Sequence, residues 1–212
     1  MTAAPNAGNG TEGPDGPDGP VRVAVLGCGA IGSLYAAHLA RVPGVQVWAV
    51  DPWREHVDAI REKGLRVTGL DEFVAEVHAV ADPAELPACR LGVVATKAAH
   101  TGDAVAAALG ALRDASVVSV QNGVGNEEAV AAHLPRVIRG TIVTAGAVVG
   151  PGTVRYDAPG DTWLGPFEPS PAPADEIELL ARLLTAGGLR ATALADARGP
   201  RPPPRSSCWP GC

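Results

Sequence analysis

A chain of 212 residues with 46% apolar side chains is long enough for one ordinary domain with a real core. Its formal charge of −6 argues against a nucleic-acid groove or an anionic membrane surface as the main partner. No apolar run reaches the roughly 18 to 20 residues that span a bilayer. The 26 glycines and 20 prolines gather towards the two ends, so the composition divides the chain into three parts. Residues 1–20 are Gly/Pro-rich, carry too little apolar surface to offset the cost of ordering, and are expected to be disordered. They show neither the basic start nor the apolar stretch of a secretory signal. Four cysteines do not make a disulfide framework, and a cytoplasmic location is the expectation.

From Val21 the pattern changes. Val21–Leu26 is a short apolar run ending in glycine, the mark of a buried parallel strand. Ala30–Val42 reads as a helix stopped by Pro43-Gly44, Val45–Val50 as a second strand, and Pro52–Lys63 as a helix ended by Gly64. Leu65–Val80 reads as two short strands turning about Gly69-Leu70-Asp71. Leu91–Ala95 is another strand, followed by an Ala-rich helix reaching Arg113. Ser116–Val120 and Val137–Thr144 are strands on either side of a helix at Asn126–Leu134. Strands alternating with helices of about ten residues predict βαβ units and a doubly wound parallel sheet of the Rossmann type. After Gly146 the turn tripeptides Gly150-Pro151-Gly152 and Pro159-Gly160-Asp161 predict an antiparallel meander. A helix at Asp175–Ala186 with Asp175 as its N-cap, stopped by Gly187-Gly188, and a strand at Leu189–Leu194 complete the body at 21–197. Residues 198–212 contain no aliphatic side chain, which reads either as a natural basic Pro-rich tail or as a truncated or out-of-frame end.

The motif with the most chemistry is Gly27-Cys28-Gly29-Ala30-Ile31-Gly32, a G-x-G-x-x-G between a predicted strand and a predicted helix. Its first glycine permits the tight turn, its second lets a pyrophosphate approach the backbone, and its third lets helix and strand pack closely. The free amides at the helix start form an anion site. Asp51 ends the second strand, 19 residues beyond Gly32, where a carboxylate accepts from the ribose hydroxyls of NAD and repels a 2′-phosphate. Arg54 offers the opposite, a cation that neutralises that phosphate or stacks on adenine, or it is simply a solvated helix position. On charge grounds NAD is favoured over NADP.

Lysine occurs at positions 63 and 97 alone, the other basic residues being arginine. Lys63 suits a helix C-terminus. Lys97 instead ends a strand at the carboxyl edge, where doubly wound folds bind ligands, and its compact ammonium fits a ribose hydroxyl or a substrate carboxylate. Gln121-Asn122-Gly123 ends the next strand at the same edge, either as a plain Asn-Gly turn or with its amides free for a ribose or a carbonyl. His38 reads as packing or surface, and His100 is a candidate cofactor contact. No spacing of His, Cys or carboxylates indicates a metal site, and no Ser/His/Asp arrangement stands out. The sequence carries no signal for oligomeric state.

Together Val25–Gly32, Thr96-Lys97-Ala98, Gln121–Gly125, Gly140-Thr141, the hairpin at 150–154 and Leu164-Gly165-Pro166 resemble the N-terminal domain of the ketopantoate reductase (2-dehydropantoate 2-reductase) family, over about residues 21–197. The resemblance implies hydride transfer from NADPH to a small 2-oxo acid, 2-dehydropantoate, giving (R)-pantoate on the way to pantothenate and coenzyme A. It implies that Gly27, Cys28, Gly29, Ala30, Ile31 and Gly32 hold the pyrophosphate. Lys97 and Asn122 would hold the nicotinamide ribose and border the substrate, and Gly146 would lie near the nicotinamide. Family members that select NADP carry an arginine about where Asp51 stands. The family's all-helical C-terminal domain, with its proton-donating lysine, has no counterpart here, so no catalytic acid is assigned. Such an acid is commonly worth about 10²–10⁴ in rate, and the expectation is a chain weakly active or inactive alone. The alternative is a non-catalytic dinucleotide-binding module.

Overall fold

The computed structural model describes residues 19–195. The readings made for 1–18 and for the tail at 198–212 lie outside the described residues. The first strand, β1 (Val21–Leu26), is followed by α1 (Ala30–Ala40), β2 (Val45–Val50) and α2 (Arg54–Lys63). Three short strands come next, β3 (Leu65–Gly69), β4 (Phe73–Ala75) and β5 (His78–Val80), and then β6 (Leu91–Val94). A 3₁₀ turn leads into α3 (Thr101–Ala107) and α4 (Leu109–Leu112), then β7 (Ser116–Ser119), α5 (Asn126–Ala131) and β8 (Val137–Ile142). The described chain ends with β9 (Ala145–Gly150), β10 (Thr153–Ala158), β11 (Asp161–Pro166), α6 (Ala174–Gly187) and β12 (Arg190–Ala193).

Eight strands form the main sheet in the order β12-β11-β8-β7-β6-β1-β2-β5. The run from β5 to β8 is all parallel, and these six strands have the 3-2-1-4-5-6 order of a doubly wound dinucleotide-binding sheet. Their side chains alternate between two buried faces, as a parallel sheet covered on both sides requires. Val23, Val25 and Val93 belong to one core cluster; Ala24, Leu26 and Val94 belong to the other. The order reverses between β1 and β6, so the loops after these two strands flank the crevice at the switch point.

Several readings are corrected in detail. Residues 65–80 make three strands rather than two. β3 and β4 form the expected hairpin, whereas β5 leaves it to extend the main sheet beside β2. The hairpin expected after Gly146 is β9–β10, and β11 crosses to the main sheet, antiparallel to β8. A second sheet results, in the order β4-β3-β10-β9. The Ala-rich helix is broken at Ala108 into α3 and α4. Asp175 sits inside the first turn of α6 and Pro173 takes the cap position without a side-chain bond.

The second sheet explains an oddity of α1. From Gly32 to Leu39 every residue of that helix is buried, because the main sheet lies on one side, with β3, β4, β9, β10 and α6 packed around the rest. A helix apolar all round suits such a place. Its polar side chains find partners inside the protein, except at His38 Nε2, which makes no hydrogen bond and lies 3.7 Å from Asp71 Oδ2. His38 resolves as a packing residue, fully buried, with Nδ1 2.9 Å from the Gly187 carbonyl. Tyr35 is fully buried and its hydroxyl lies 2.5 Å from Thr162 Oγ1 on β11; burial pushes its pKa up to about 12. No described helix is long and apolar enough to cross a membrane.

Tyr35→Phe leaves the Thr162 hydroxyl without its buried partner and is expected to cost about 1 kcal/mol or slightly more. Thr162→Val should cost a similar amount, and the double variant clearly less than the sum. Urea unfolding of the four proteins measures this.

Candidate functional site: the carboxyl edge of the parallel sheet

The glycine motif forms the tight connection between β1 and α1. Gly27 has a φ of +90°, and a Cβ there would lie 2.9 Å from the Thr96 backbone nitrogen. Gly32 is more constrained still: a Cβ would stand 1.8 Å from the Gly27 carbonyl oxygen. Gly29 is the opposite case, since a Cβ there meets nothing within 4 Å. It is the N-cap of α1, which has neither a side-chain cap nor an acidic residue in its first turn. The amides of Ala30, Ile31 and Gly32 open an 11-residue helix and have no intrahelical acceptor. Two glycines are thus demanded by the fold, and the third keeps open space before an uncapped helix terminus. This is the cradle a pyrophosphate requires, and the residues present fit a dinucleotide.

Asp51, just beyond β2, is tied to that cradle. Its Oδ2 accepts the Cys28 N–H at 2.7 Å and its Oδ1 the Trp53 N–H at 2.9 Å. The Cys28 thiol is buried and lies 3.8 Å from the Val50 carbonyl. Burial, helped by the Asp51 charge, pushes it far above the ordinary thiol range, so it is a neutral packing group rather than a nucleophile. Arg54 opens α2 as an exposed side chain.

A buried relay braces the same loop. The Gly152 N–H donates to His56 Nδ1 at 3.0 Å, so the proton of a neutral ring sits on Nε2, which faces Ser33 Oγ at 3.4 Å. Ser33 Oγ in turn donates to the Cys28 carbonyl at 2.8 Å. Burial lowers the His56 pKa, opposed by Asp51. Neither Ser33 nor His56 was singled out in the sequence. The partners are 23 and 96 positions apart, and no local pattern marks such a pairing.

The loops after β6 and β7 are cross-linked by Gln121. Its Nε2 donates to the Thr96 carbonyl at 2.8 Å, to Thr96 Oγ1 at 3.1 Å and to Thr101 Oγ1 at 2.8 Å. Gln121 is therefore committed to the scaffold, and of the two amides only Asn122 keeps an exposed side chain. Lys97 is exposed on the neighbouring loop, and His100 stands close by in sequence, its N–H on the Lys97 carbonyl at 2.8 Å. Beyond Asn122 opens a depression of about 380 Å³ lined by Gly123, Glu127, Arg139 and Thr141 among others. Gly146 lies on β9, where a Cβ would meet the Arg155 carbonyl at 2.7 Å and Leu34 of α1 at 2.8 Å; its bareness lets the second sheet close on the helix. Among the described residues no group of three or more His, Cys, Asp or Glu could hold a metal ion.

Residues 23–169 match the family described as ketopantoate reductase PanE/ApbA. The chain belongs to that family. The 2-dehydropantoate 2-reductase of Pyrococcus abyssi is 35% identical over 148 residues, 68% of this chain and 47% of that protein. A PanE/ApbA family ketopantoate reductase from Ralstonia eutropha JMP134 superposes with a TM-score of 0.72 at 30% identity, over 84% of this chain and 58% of that one. A D-mandelate dehydrogenase solved with NADH and anilino(oxo)acetate superposes with a TM-score of 0.71 at 26% identity, over 82% of this chain and 57% of that one. The chain spans about half the length of the ketopantoate reductase relatives it matches.

The two helix-start glycines should separate cleanly on substitution. Gly32→Ala forces a backbone clash and is expected to cost about 3 kcal/mol or more, or to prevent folding. Gly29→Ala is expected to change stability by no more than about 0.5 kcal/mol, as an unstrained surface change does. Thermal and urea unfolding measure both.

The buried imidazoles set an acid limit. His38 and His56 both have pKa values lowered by burial from the ordinary 6.5. The unfolded chain therefore takes up their protons at a higher pH than the folded one. Stability is expected to be full above about pH 6.5 and to decline as the pH falls through the lowered folded values. Urea midpoints between pH 8 and 5 test this, and His56→Gln should flatten the decline.

Proposed function

We propose that residues 21–197 form the dinucleotide-binding domain of a ketopantoate-reductase-type oxidoreductase that uses NAD(P)H to reduce the ketone of a small 2-oxo acid. The single observation that carries the coenzyme is the uncapped start of α1 with its open face at Gly29. In this reading the amides of 29–32 receive the pyrophosphate and Asp51 faces the adenosine ribose. Lys97 and Asn122 reach from adjacent loops to the nicotinamide ribose and the substrate. When bound, the reduced nicotinamide supplies a hydride to the ketone carbon, and the carbonyl oxygen takes a proton to leave a 2-hydroxy acid.

This chain's residues bind and orient. The Lys97 ammonium offers donors to a carboxylate or a ribose hydroxyl, and Asn122 offers a neutral amide that donates and accepts. Family membership supports 2-dehydropantoate as the substrate and (R)-pantoate as the product. Val124, 99% exposed, and Val143, 58% exposed, follow β7 and β8 at this same edge, so the described residues leave it open to water. An open site loses the gain that water exclusion and fixed orientation give, and we propose slow turnover by this chain.

Titration of the 212-residue chain with NADH and NADPH, followed by coenzyme fluorescence, is expected to show saturable binding. Gly29→Ala should weaken that binding at least tenfold at unchanged melting temperature. Absence of saturable binding to folded protein would overturn the proposal. Turnover of 2-dehydropantoate is expected to be slow yet above that of Lys97→Ala; binding without turnover would establish the non-catalytic module instead.

A further inference from the structure

We propose that Thr101 and Asn126 are positioning residues for the nicotinamide half of the coenzyme. From buried places they hold the backbone at Lys97 and Asn122, so that two exposed side chains on separate loops meet one ligand at a fixed separation. The inference rests on the coenzyme reading above and adds two residues that act through others. Its basis is a run of three carbonyls in the loop after β6. The Thr96 carbonyl accepts from Gln121 Nε2 at 2.8 Å, the Lys97 carbonyl from the His100 N–H at 2.8 Å, and the Ala98 carbonyl from Thr101 Oγ1 at 3.0 Å. The backbone is thus gripped on both sides of Lys97, whose side chain stays exposed. Loops at such an edge are ordinarily the mobile part of a fold.

Thr101 is the hub. It is fully buried at the start of α3; its one hydroxyl proton serves Ala98, and its oxygen accepts the second Gln121 N–H at 2.8 Å. Asn126, 3% exposed, opens α5 beside it. Its Oδ1 lies 3.5 Å from Thr101 Oγ1, and its Nδ2 donates to the Asn122 carbonyl at 3.2 Å. A carbonyl only accepts, so the Asn122 contact fixes which way the Asn126 amide points. The two helices bury Val105 and Val130 in one core cluster, and the polar contacts at their starts add a setting for the loops. Among the described residues, Gln121, Thr101 and Asn126 share no hydrogen bond with the Ser33–His56–Gly152 relay. The anion cradle and the Lys97–Asn122 pair are therefore braced separately, and each half of a coenzyme depends on its own network. Groups fixed before the ligand arrives cost less ordering on binding.

Dissociation constants for NADH and 5′-ADP, measured on the 212-residue chain and its variants, test the proposal. Thr101→Val keeps the shape of the side chain and removes the hydroxyl. It is expected to weaken NADH about tenfold, since a misplacement of about 1 Å costs up to about 10²-fold. Binding of 5′-ADP, which ends at the pyrophosphate, should stay as it was. Thr101→Ser returns the hydroxyl and should return NADH binding with it. In a Lys97→Ala background Thr101→Val should weaken NADH clearly less, because one of the groups it positions is gone. Should Thr101→Val fail to fold, Asn126→Ala decides by the same pair of ligands. An unchanged NADH to 5′-ADP ratio, an equal loss of both ligands, no rescue by Thr101→Ser, or an undiminished loss in the Lys97→Ala background would overturn the positioning role and leave the coenzyme reading intact. Failure of the unaltered chain to bind either ligand would overturn both.

Discussion

The site begins with the approach of two backbones. Helix α1 starts so close to the end of β1 that the α-carbon hydrogen of Gly32 faces the Gly27 carbonyl, in a space that admits no side chain. That contact fixes the direction of the helix axis and hence where its free amides point. Gly27, turned into a left-handed conformation against Thr96, then brings the loops after β1 and β6 together at the reversal of strand order. Both conditions are steric, so neither is negotiable by adjusting a rotamer.

Around this contact the chain adds bracing from distant elements. Asp51 holds the Cys28 amide and the Ser33–His56 pair holds the Cys28 carbonyl, so the middle of the loop is gripped on both sides. Gly152, in the turn between β9 and β10, completes the relay. Gln121 performs the same office for the loops after β6 and β7. The second sheet is therefore more than a cover. It buries the outer face of α1 and carries one end of the hydrogen-bonded chain that shapes the anion cradle. A fully buried relay of neutral groups suits this task, since each member is satisfied and no charge has to be desolvated.

The residues left uncommitted by this bracing are those with chemistry to spare. Lys97, Asn122 and Arg54 project from the carboxyl edge into solvent, whereas Gln121, of equal promise in the sequence, is spent on the scaffold. The distinction is one of partners. An amide beside a strand end satisfies either a neighbouring loop or a ligand, and residue type does not say which. The same holds for Gly146, whose absent side chain serves the contact with Leu34.

Periodicity and glycine placement alone determined the parallel sheet, the G-x-G-x-x-G turn with its acidic partner at Asp51, and the edge carrying Lys97 and Asn122. These are legible because each rests on local constraints: apolar runs that must be buried, a turn only glycine can make, and a strand that must end somewhere. Tertiary structure alone decided that the segment at 65–80 splits between two sheets, that Asp175 gives up the cap position, and that Ser33, His56 and Gly152 join into one relay. Their partners come from segments far apart in the chain, and contacts of that range depend on how whole layers pack rather than on which residues adjoin.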